Sequence, residues 1–376
     1  LGVGHVHFHH TMGLHPRLWV LADALGCRHD LTIHDYYLIN GNPTLTDEDA
    51  SYVPESAQDF DQRCAEHYPL PEGVTAESWR DNQRLLVEGA RRVIFPSHDV
   101  AARFRRFFHI EEGVVAWHPD YELSKPFPQP LWSYTKERHL KVLVLGAISR
   151  EKGADVLESV AEAMDAAAVE FHLLGYAYRG LSEEVVTHGP YAQEDVYELV
   201  SNLAPDVVWY PALWPETYSY TLSVALHLGL PVVVPDIGAF VERVAQRPLS
   251  VVQPWNSSIA DWRVFWSHII SEGHLPVTQP LALDPTESAR KDFYSADYLQ
   301  PVQAKQGALT ARALASLSGN YHVGVPQLTG SEKILGRIWR ISRRPVVAKV
   351  VSLVPFRMQQ AIKRRLSRRP MHDIVR

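Results

Sequence analysis

The stretch Ala204–Asp236 has the clearest pattern of hydrophobic and polar positions in the chain. Val207–Tyr210 is a short apolar run and predicts a strand. Tyr218–Leu228 has apolar residues at helical spacing, and Gly229 just past its end is typical of a helix C-terminus. Pro231–Val234 ends in three valines, as in a strand covered on both faces of a parallel sheet. We therefore predict a strand–loop–helix–strand unit, with its loop at the sheet edge where open α/β folds bind ligands.

Strand and helix patterns alternate through most of the chain, which favours parallel sheets flanked by helices. The proline-rich segment 125–130 divides this alternation into two runs. Residues 40–73 are polar and acidic without a clear period, so we expect an excursion with short elements there. We predict further strands at Val3–Phe8, Asp30–His34, Val93–Pro96, Val114–Trp117, His139–Leu145 and Val169–Leu174, and helices at His15–Gly26, Trp79–Ala90, Ser97–Phe108, Ala154–Ala167 and Gln193–Leu203.

These runs predict an α/β protein with two Rossmann-like domains. We expect residues 1–122 to form the first domain and residues 123–300 the second, followed by C-terminal helices and a basic tail in residues 301–376. A chain of 376 residues with 46% hydrophobic content can bury two such domains.

Composition narrows the classes of function. The net charge of −6 argues against a nucleic-acid-binding protein. Cys27 and Cys64 are too few for a disulfide framework or a zinc cluster, so we expect a reducing, cytoplasmic setting. The sequence has neither a signal-peptide pattern nor an apolar run of the roughly 18–20 residues that a membrane span requires. Because the chain begins at Leu1 and its first domain lacks an opening βαβ unit, we expect it to be part of a longer protein.

A candidate anion-binding turn follows the predicted strand His139–Leu145. The turn runs from Gly146 to Gly153 and carries Arg150 and Lys152 directly before a predicted helix. Helix N-termini offer free N–H groups to an anion, and these two cations could neutralise a diphosphate without a metal. A surface turn with charged residues would have the same sequence.

Five segments carry a resemblance to a known family. PETYSYTLSVALHLGLPVVV resembles the donor-sugar loop of the GT4 family of retaining glycosyltransferases, and LGAISREKGADVL is similar to its diphosphate loop. HVHFHH, LTIHDYYLI and ARRVIFPSHDVAARF resemble the later part of the family's N-terminal domain. The resemblance implies a GT-B fold, in which two Rossmann-like domains face a cleft.

The resemblance also implies roles for individual residues. His34 would face the donor sugar, and Glu216 would bind its hydroxyl groups as the second catalytic residue. The family's second glutamate, which holds the ribose, is replaced here by Val224, and an expected arginine is replaced by Ala147. The remaining donor-binding candidates are Gly146, Arg150, Lys152 and Gly153 at the diphosphate, Thr217, Tyr218, Ser219 and Tyr220 through their backbone amides, and Tyr191 near the nucleobase.

The function expected from this resemblance is retaining transfer of a sugar from a nucleotide-sugar to a glycan or lipid-linked glycan in cell-surface polysaccharide synthesis. Such an enzyme needs no metal and no cofactor, because the nucleotide-diphosphate-sugar is itself the donor substrate. Val224, Ala147 and the short first domain also fit a catalytically degenerate module that binds nucleotide-sugars or acts as a scaffold.

Two segments carry side chains of the types that bind metal ions. His5, His7 and His9 share one face of a predicted strand and could ligate a metal in a hydrolase. The rest of the chain does not follow the barrel pattern that such hydrolases have. Asp59 and Asp61 form a D-x-D motif, but they follow polar residues rather than a hydrophobic strand, so we interpret them as solvated charges.

The C-terminal tail differs in charge from the rest of the chain. Residues 331–376 contain thirteen Lys or Arg residues and only two acids, Glu332 and Asp373. Ile334, Leu335 and Ile338 lie at helical spacing beside these charges. A basic amphipathic segment predicts binding to an anionic membrane surface, here the inner face of the membrane. A solvated extension fits the same residues.

Overall fold

The computed structural model describes residues 3–14, 20–120, 126–276, 289–298 and 328–342, with a few single positions between 358 and 367. The chain divides into two compact units. The larger unit comprises Gly2–His10 and Cys27–Gly307, and the smaller comprises Leu1, Thr11–Gly26 and Ala308–Arg376. The beginning of the predicted helix His15–Gly26 and most of the predicted tail lie outside the described residues.

The first part of the larger unit contains a four-stranded parallel sheet. Its strands follow one another in the order of the chain, and helices join them. The strands are β1 (His5–Phe8), β2 (Arg28–Thr32), β3 (Arg92–Phe95) and β4 (Gly113–Val115). The helices of this part are α2 (Tyr37–Asn40), α3 (Phe60–His67), α4 (Ala76–Val87) and α5 (His98–Phe104), while α1 (Val20–Ala24) belongs to the smaller unit.

The second part of the larger unit contains a six-stranded parallel sheet. Its strands are β5 (Leu140–Ile148), β6 (Val169–Ala177), β7 (Val185–Gly189), β8 (Val207–Trp209), β9 (Val232–Pro235) and β10 (Ser250–Gln253). They lie in the order β10-β9-β8-β5-β6-β7, so the direction of winding changes beside β5. The helices are α6 (Ala154–Ala163), α7 (Val196–Leu203), α8 (Tyr220–His227), α9 (Ala239–Arg243) and α10 (Ile259–Glu272).

The predicted α/β fold with two parallel sheets is confirmed. One face of the second sheet packs against α6 and α10 around a fully buried tryptophan, Trp209. Trp262 and Trp266 on α10 lie against this ring, with centroid distances of 4.8 and 5.5 Å. Burial of such large aromatic side chains supplies much of the stability of a domain.

Several predicted boundaries were wrong. Gly146 lies inside β5, which continues to Ile148 because it pairs with β6 as far as Ala177. Strand β7 was not predicted, since it offers only two adjacent valines followed by polar residues. The helix expected from Tyr218 begins at Tyr220. The excursion at residues 40–73 contains the short helix α3, in agreement with the short elements expected there.

A segment near residue 290 returns to the first sheet. Arg290 forms a parallel bridge with Ala116, directly after β4. Phe293 is 1% exposed and packs against Ile94 of β3. The π-helical turn Tyr294–Tyr298 follows it.

The described part of the smaller unit contains α1 and one longer helix, α11 (Gly330–Ser342). None of the helices in the described ranges combines the length and apolar character needed to span a bilayer.

Glycine is required at the first turn of α6. Gly153 has a φ of +82°, and a Cβ atom there would overlap the carbonyl oxygen of Pro211. We expect Gly153→Ala to lower the free energy of unfolding by about 2 kcal/mol or more, since the left-handed conformation alone costs an L-residue roughly 1–2 kcal/mol. Gly180→Ala is the matched control, because a Cβ atom there meets open space. Urea unfolding of both variants tests this, and equal stabilities would show that Pro211 can move aside.

Candidate functional site

The loop between β8 and α8 lies at the carboxyl edge of the second sheet and carries Glu216. The Glu216 residue is only 7% exposed, and its Oε1 lies 3.3 Å from Nζ of Lys152. The two residues come from different loops, so the fold brings together two side chains that the sequence predicted for one site. The Lys152 side chain is 41% exposed, which leaves its ammonium group open to a further partner.

Close backbone contacts hold this loop in place. The backbone N–H of Ala239 donates to the carbonyl oxygen of Glu216 at 2.8 Å. A Cβ atom on Gly238, the preceding residue, would lie 2.6 Å from that same oxygen. Gly146 has a φ of +108°, and a Cβ atom there would approach Thr221 Cγ2 at 3.0 Å. Glycines therefore permit these loops to meet.

Arg243, which the sequence analysis did not single out, supports the start of α8. The residue is 4% exposed. Its Nη1 donates to the carbonyl oxygens of Tyr218 and Ser219 at 2.8 and 2.7 Å, and Nη2 donates to Ser223 Oγ at 2.7 Å. The guanidinium also lies over the Tyr218 ring, 3.9 Å from its centroid, and 4.7 Å from that of Trp117. Arg243 thereby fixes the turn in which Ser219 adopts a φ of +67°.

Arg150 lies in the predicted anion-binding turn, but its guanidinium group contacts other residues of the protein. Its Nε lies 3.3 Å from Oδ2 of Asp155, and its Nη1 donates to the backbone carbonyl of Glu48 at 2.9 Å. Glu48 belongs to the excursion in the first part of the chain. Arg150 thus ties that excursion to the candidate anion-binding turn. Ala147, where the family resemblance implies an arginine, is exposed.

A row of aromatic rings connects the two parts of the larger unit. His9 Nδ1 lies 3.0 Å from His34 Nε2. The His34 ring stacks on His118 at 4.8 Å, and His118 stacks on Tyr220 at 5.4 Å. Thr217 Oγ1 donates to the carbonyl oxygen of His34 at 2.7 Å. The predicted residues His34, Thr217 and Tyr220 therefore meet around His118, which the sequence analysis missed.

The Tyr218 side chain makes contacts that the prediction for its backbone amide did not include. Its hydroxyl group donates to Oδ1 of Asp120 at 2.7 Å and is 3.3 Å from the carbonyl oxygen of His118. Asp120 and His118 follow β4, about a hundred residues earlier in the chain, so no local pattern could have indicated this contact.

The imidazoles of this row are held in the neutral form. Burial lowers the pKa of His34 to about 4, and the nearby His9 adds to the effect. Burial lowers the pKa of His118 to about 3, assisted by His34. His10, by contrast, has a raised pKa because its Nδ1 bonds to Oδ2 of Asp35 at 2.8 Å. At neutral pH the row is therefore an uncharged surface.

The histidines of β1 make contacts that differ from a metal site. His5 Nε2 lies 3.0 Å from Oδ2 of Asp30, which also pairs with Arg91. His7 Nε2 bonds to Thr32 Oγ1 at 2.8 Å. Within the ranges that the structure describes, no three His, Cys, Asp or Glu side chains are arranged to hold a metal ion. Asp61 of the D-x-D motif forms an ion pair with Arg80 at 2.8 Å, so its charge is paired rather than simply solvated.

Tyr191 lies in a cleft beside α7. The cleft has a volume of about 510 Å³. A smaller cavity of about 20 Å³ contains Lys152 and Glu216 among its lining residues, and the two share no lining residue. The structure therefore does not place Tyr191 in one cavity with the ion pair.

Val224 is 8% exposed on α8, and Gly153 stands at the N-terminus of α6.

Comparisons with known proteins give structural likenesses only. No family model matches this chain, and no curated protein matches it. The sucrose-phosphate synthase from Thermosynechococcus elongatus is 16% identical with a TM-score of 0.49, over 72% of this chain and 65% of that one. HepE of Anabaena, solved with UDP-glucose, is 16% identical with a TM-score of 0.46, over 69% of this chain and 68% of that one.

The lipopolysaccharide outer core galactosyltransferase WaaB is 11% identical with a TM-score of 0.40, over 72% of this chain and 90% of that one. The chain spans less than two thirds of the length of the synthase. At these identities and TM-scores, the likenesses assign neither an activity nor a ligand to this chain.

The buried histidines predict a dependence of stability on pH. Because the pKa of folded His118 lies below the ordinary value of 6.5, the unfolded chain binds more protons as pH falls from 6.5 towards 3. Neutral His118 therefore contributes to stability above pH 6.5, and this contribution is lost as the pH falls from 6.5 towards 3. We expect His118→Phe, which keeps a stacked ring, to lose less Tm than the wild type on acidification. Exposed His268→Gln is the control and should follow the wild-type curve.

Proposed function

We propose that this protein transfers a sugar from a nucleotide-diphosphate donor, as a retaining glycosyltransferase of the GT-B and GT4 type. The observation that carries the proposal is the Lys152–Glu216 pair at the carboxyl edge of the second sheet, beside His34 from the first sheet. A cation next to a carboxylate suits a ligand that has both phosphate and hydroxyl groups. Two facing domains would exclude water, so that the acceptor rather than solvent attacks the sugar.

Each residue would have a distinct role in this reaction. Lys152 would bind the departing diphosphate and stabilise its developing charge. Arg150 would join it by exchanging the Glu48 carbonyl for a phosphate oxygen. Glu216 would accept hydrogen bonds from hydroxyl groups of the sugar, and neutral His34 would bind the sugar on its other side. The backbone amides of Thr217 to Tyr220 would hold polar atoms of the donor, while Gly146 and Gly153 would let the backbone approach its phosphates, and Tyr191 would lie near the base.

The proposal needs no cofactor and no metal, since the cations of the chain neutralise the leaving group. The acceptor would be a hydroxyl group of a glycan or a lipid-linked glycan. We place the protein in the cytoplasm, on the inner face of the membrane that would carry such an acceptor.

A degenerate module that binds a nucleotide-sugar without turnover is the second candidate. Val224 and Ala147 favour it, because neither offers the polar group that the family pattern has at that position. The two candidates agree on nucleotide binding and differ only in transfer.

Donor binding should depend on Lys152 and Glu216. We expect Lys152→Ala to weaken binding of a nucleoside diphosphate by about tenfold or more, since it removes a charge-assisted contact to phosphate. Glu216→Ala should weaken binding of the intact nucleotide-sugar but not of the free diphosphate. Calorimetric titration with UDP-, GDP-, dTDP- and ADP-sugars and with the free nucleoside diphosphates measures both effects.

Lys136→Ala is the matched control for this experiment, because Lys136 is an exposed lysine of the same domain. Binding that Lys152→Ala leaves unchanged would contradict the proposed site. Binding without release of free nucleotide in the presence of glycan acceptors would favour the degenerate module.

Helix α11 supports the proposed membrane contact. Ile334, Ile338 and Ile341 are 54%, 49% and 49% exposed and recur at helical spacing. We expect Ile338→Asp to reduce binding to phosphatidylglycerol vesicles by about tenfold, through loss of apolar insertion. Val264→Asp is the control, because Val264 is 71% exposed on α10 of the larger unit. Sedimentation with vesicles gives the result. Vesicle binding that survives deletion of residues 331–376 would exclude this role for the tail.

A further inference from the structure

The face of β6 and β7 that lies towards the Tyr191 cleft carries polar side chains. Strand residues alternate between faces, so Glu170 and His172 on β6 share one face while Phe171 and Leu173 enter the core on the other. Parallel strands covered on both faces are normally apolar throughout. The His172 side chain is 10% exposed on this face, whereas that of Glu170 is 40% exposed, so the buried histidine is the residue that needs a specific explanation.

These side chains form a continuous hydrogen-bonded chain. His139 Nδ1 lies 3.0 Å from Oε1 of Glu170, whose Oε2 lies 3.3 Å from Nε2 of His172. His172 Nδ1 then lies 3.0 Å from Nε2 of His188 on β7, with the two rings inclined by only 13°. This series of hydrogen bonds begins at a half-exposed residue, His139, and ends in the cleft at His188.

The order of donors and acceptors along this chain fixes the tautomers. Hydrogen bonds from His139 and His172 lower the pKa of Glu170, so its carboxylate only accepts. Burial lowers the pKa values of His172 and His188, so both are neutral at physiological pH. His172 must donate through Nε2 and accept at Nδ1, and His188 must donate through Nε2. The lone pair of His188 is therefore on Nδ1.

The cleft has the size and lining of a site for a planar ring. Its volume of about 510 Å³ lies within the usual range of small-molecule pockets. Tyr191 supplies an aromatic ring, and Leu174 and Leu199 supply apolar walls. Among the residues that the structure describes, His188 Nδ1 has no hydrogen-bond partner, so it is the ring nitrogen available to a ligand.

We propose that His188 accepts a hydrogen bond at Nδ1 from a ring or exocyclic N–H of the donor's nucleobase, and that Glu170 and His172 are positioning residues for it. This inference rests on the proposed function and identifies how the base would be selected. His188 would favour a nucleobase edge that carries an N–H donor over an edge that carries only acceptors. The carboxylate of Asp195, which lines the same cleft, is a second acceptor.

The test compares base and phosphate contributions to binding. UDP, GDP, ADP, CDP, dTDP and inorganic diphosphate are titrated calorimetrically into the wild type, His188→Phe and Lys152→Ala. His188→Phe keeps a planar ring but has no acceptor. We expect it to weaken the tightest-binding nucleoside diphosphate by about tenfold, as for the loss of one hydrogen bond, while leaving inorganic diphosphate unchanged. Thr187→Val, on the same strand but the alternate face, is the matched control and should bind like the wild type.

A spectroscopic measurement distinguishes whether His172 orients the His188 ring or only packs against it. In protein labelled with ¹⁵N-histidine, His188 should show a protonated Nε2 and an unprotonated Nδ1, and the Nδ1 resonance should shift on addition of the nucleotide. His172→Phe removes the partner that orients the ring. We expect the His188 tautomers to exchange in this variant and nucleotide affinity to fall severalfold.

Three results would overturn the inference. A protonated Nδ1 on His188 in the wild type would contradict the tautomer assignment. Nucleotide binding that depends on Lys152 but is unchanged in His188→Phe would overturn the inference and leave the proposed function standing. Folded protein that binds none of the five nucleoside diphosphates would overturn both.

Discussion

The carbonyl groups of Tyr218 and Ser219 converge on the buried guanidinium of Arg243, and the geometry of the candidate site depends on this interaction. Ser219 adopts a left-handed conformation that costs an L-residue roughly 1–2 kcal/mol. Hydrogen bonds from a charged donor contribute about 1.5–3 kcal/mol each and can offset that cost. The turn leads into α8, whose N-terminus at Tyr220 therefore lies close to Glu216 and Thr217 in the chain. Arg243 also lies over Trp117, so the same cation joins the turn to the segment after β4.

The contact between the two sheets is polar and aromatic, yet it carries little charge. His34, His118 and Tyr220 stack in sequence, and burial keeps both imidazoles neutral. Glu242 caps the N-terminus of α5 by accepting from His98 N–H at 2.8 Å, and burial raises its pKa to about 7. A surface of this kind buries few unpaired charges, which limits the cost of desolvating it. The Lys152 side chain is 41% exposed, so its ammonium group is accessible to solvent.

Local pattern was sufficient for the sheets and for part of the site. Valine runs and helical spacing predict both parallel sheets. The Gly146–Gly153 turn indicates Lys152, and the family resemblance of the Pro-Glu loop implies Glu216, with which the fold pairs that lysine. Pattern fails where partners are remote in sequence. Arg150 contacts Glu48, and Tyr218 contacts Asp120, over separations of about a hundred residues. No spacing rule encodes such contacts, because they depend on how the two parts of the chain dock.

Val224 can be understood from the burial of this part of α8. Leu222, Ser223 and Val224 are all buried on α8, and the Ser223 hydroxyl group accepts from Arg243. A glutamate at position 224 would have to be desolvated there, at a cost that only a bound partner could offset. Valine avoids that cost, and the hydroxyl and carbonyl groups already satisfy the guanidinium in part. The replacement is therefore compatible with an intact loop at Glu216. A nucleotide bound here would have to find partners for its ribose outside α8.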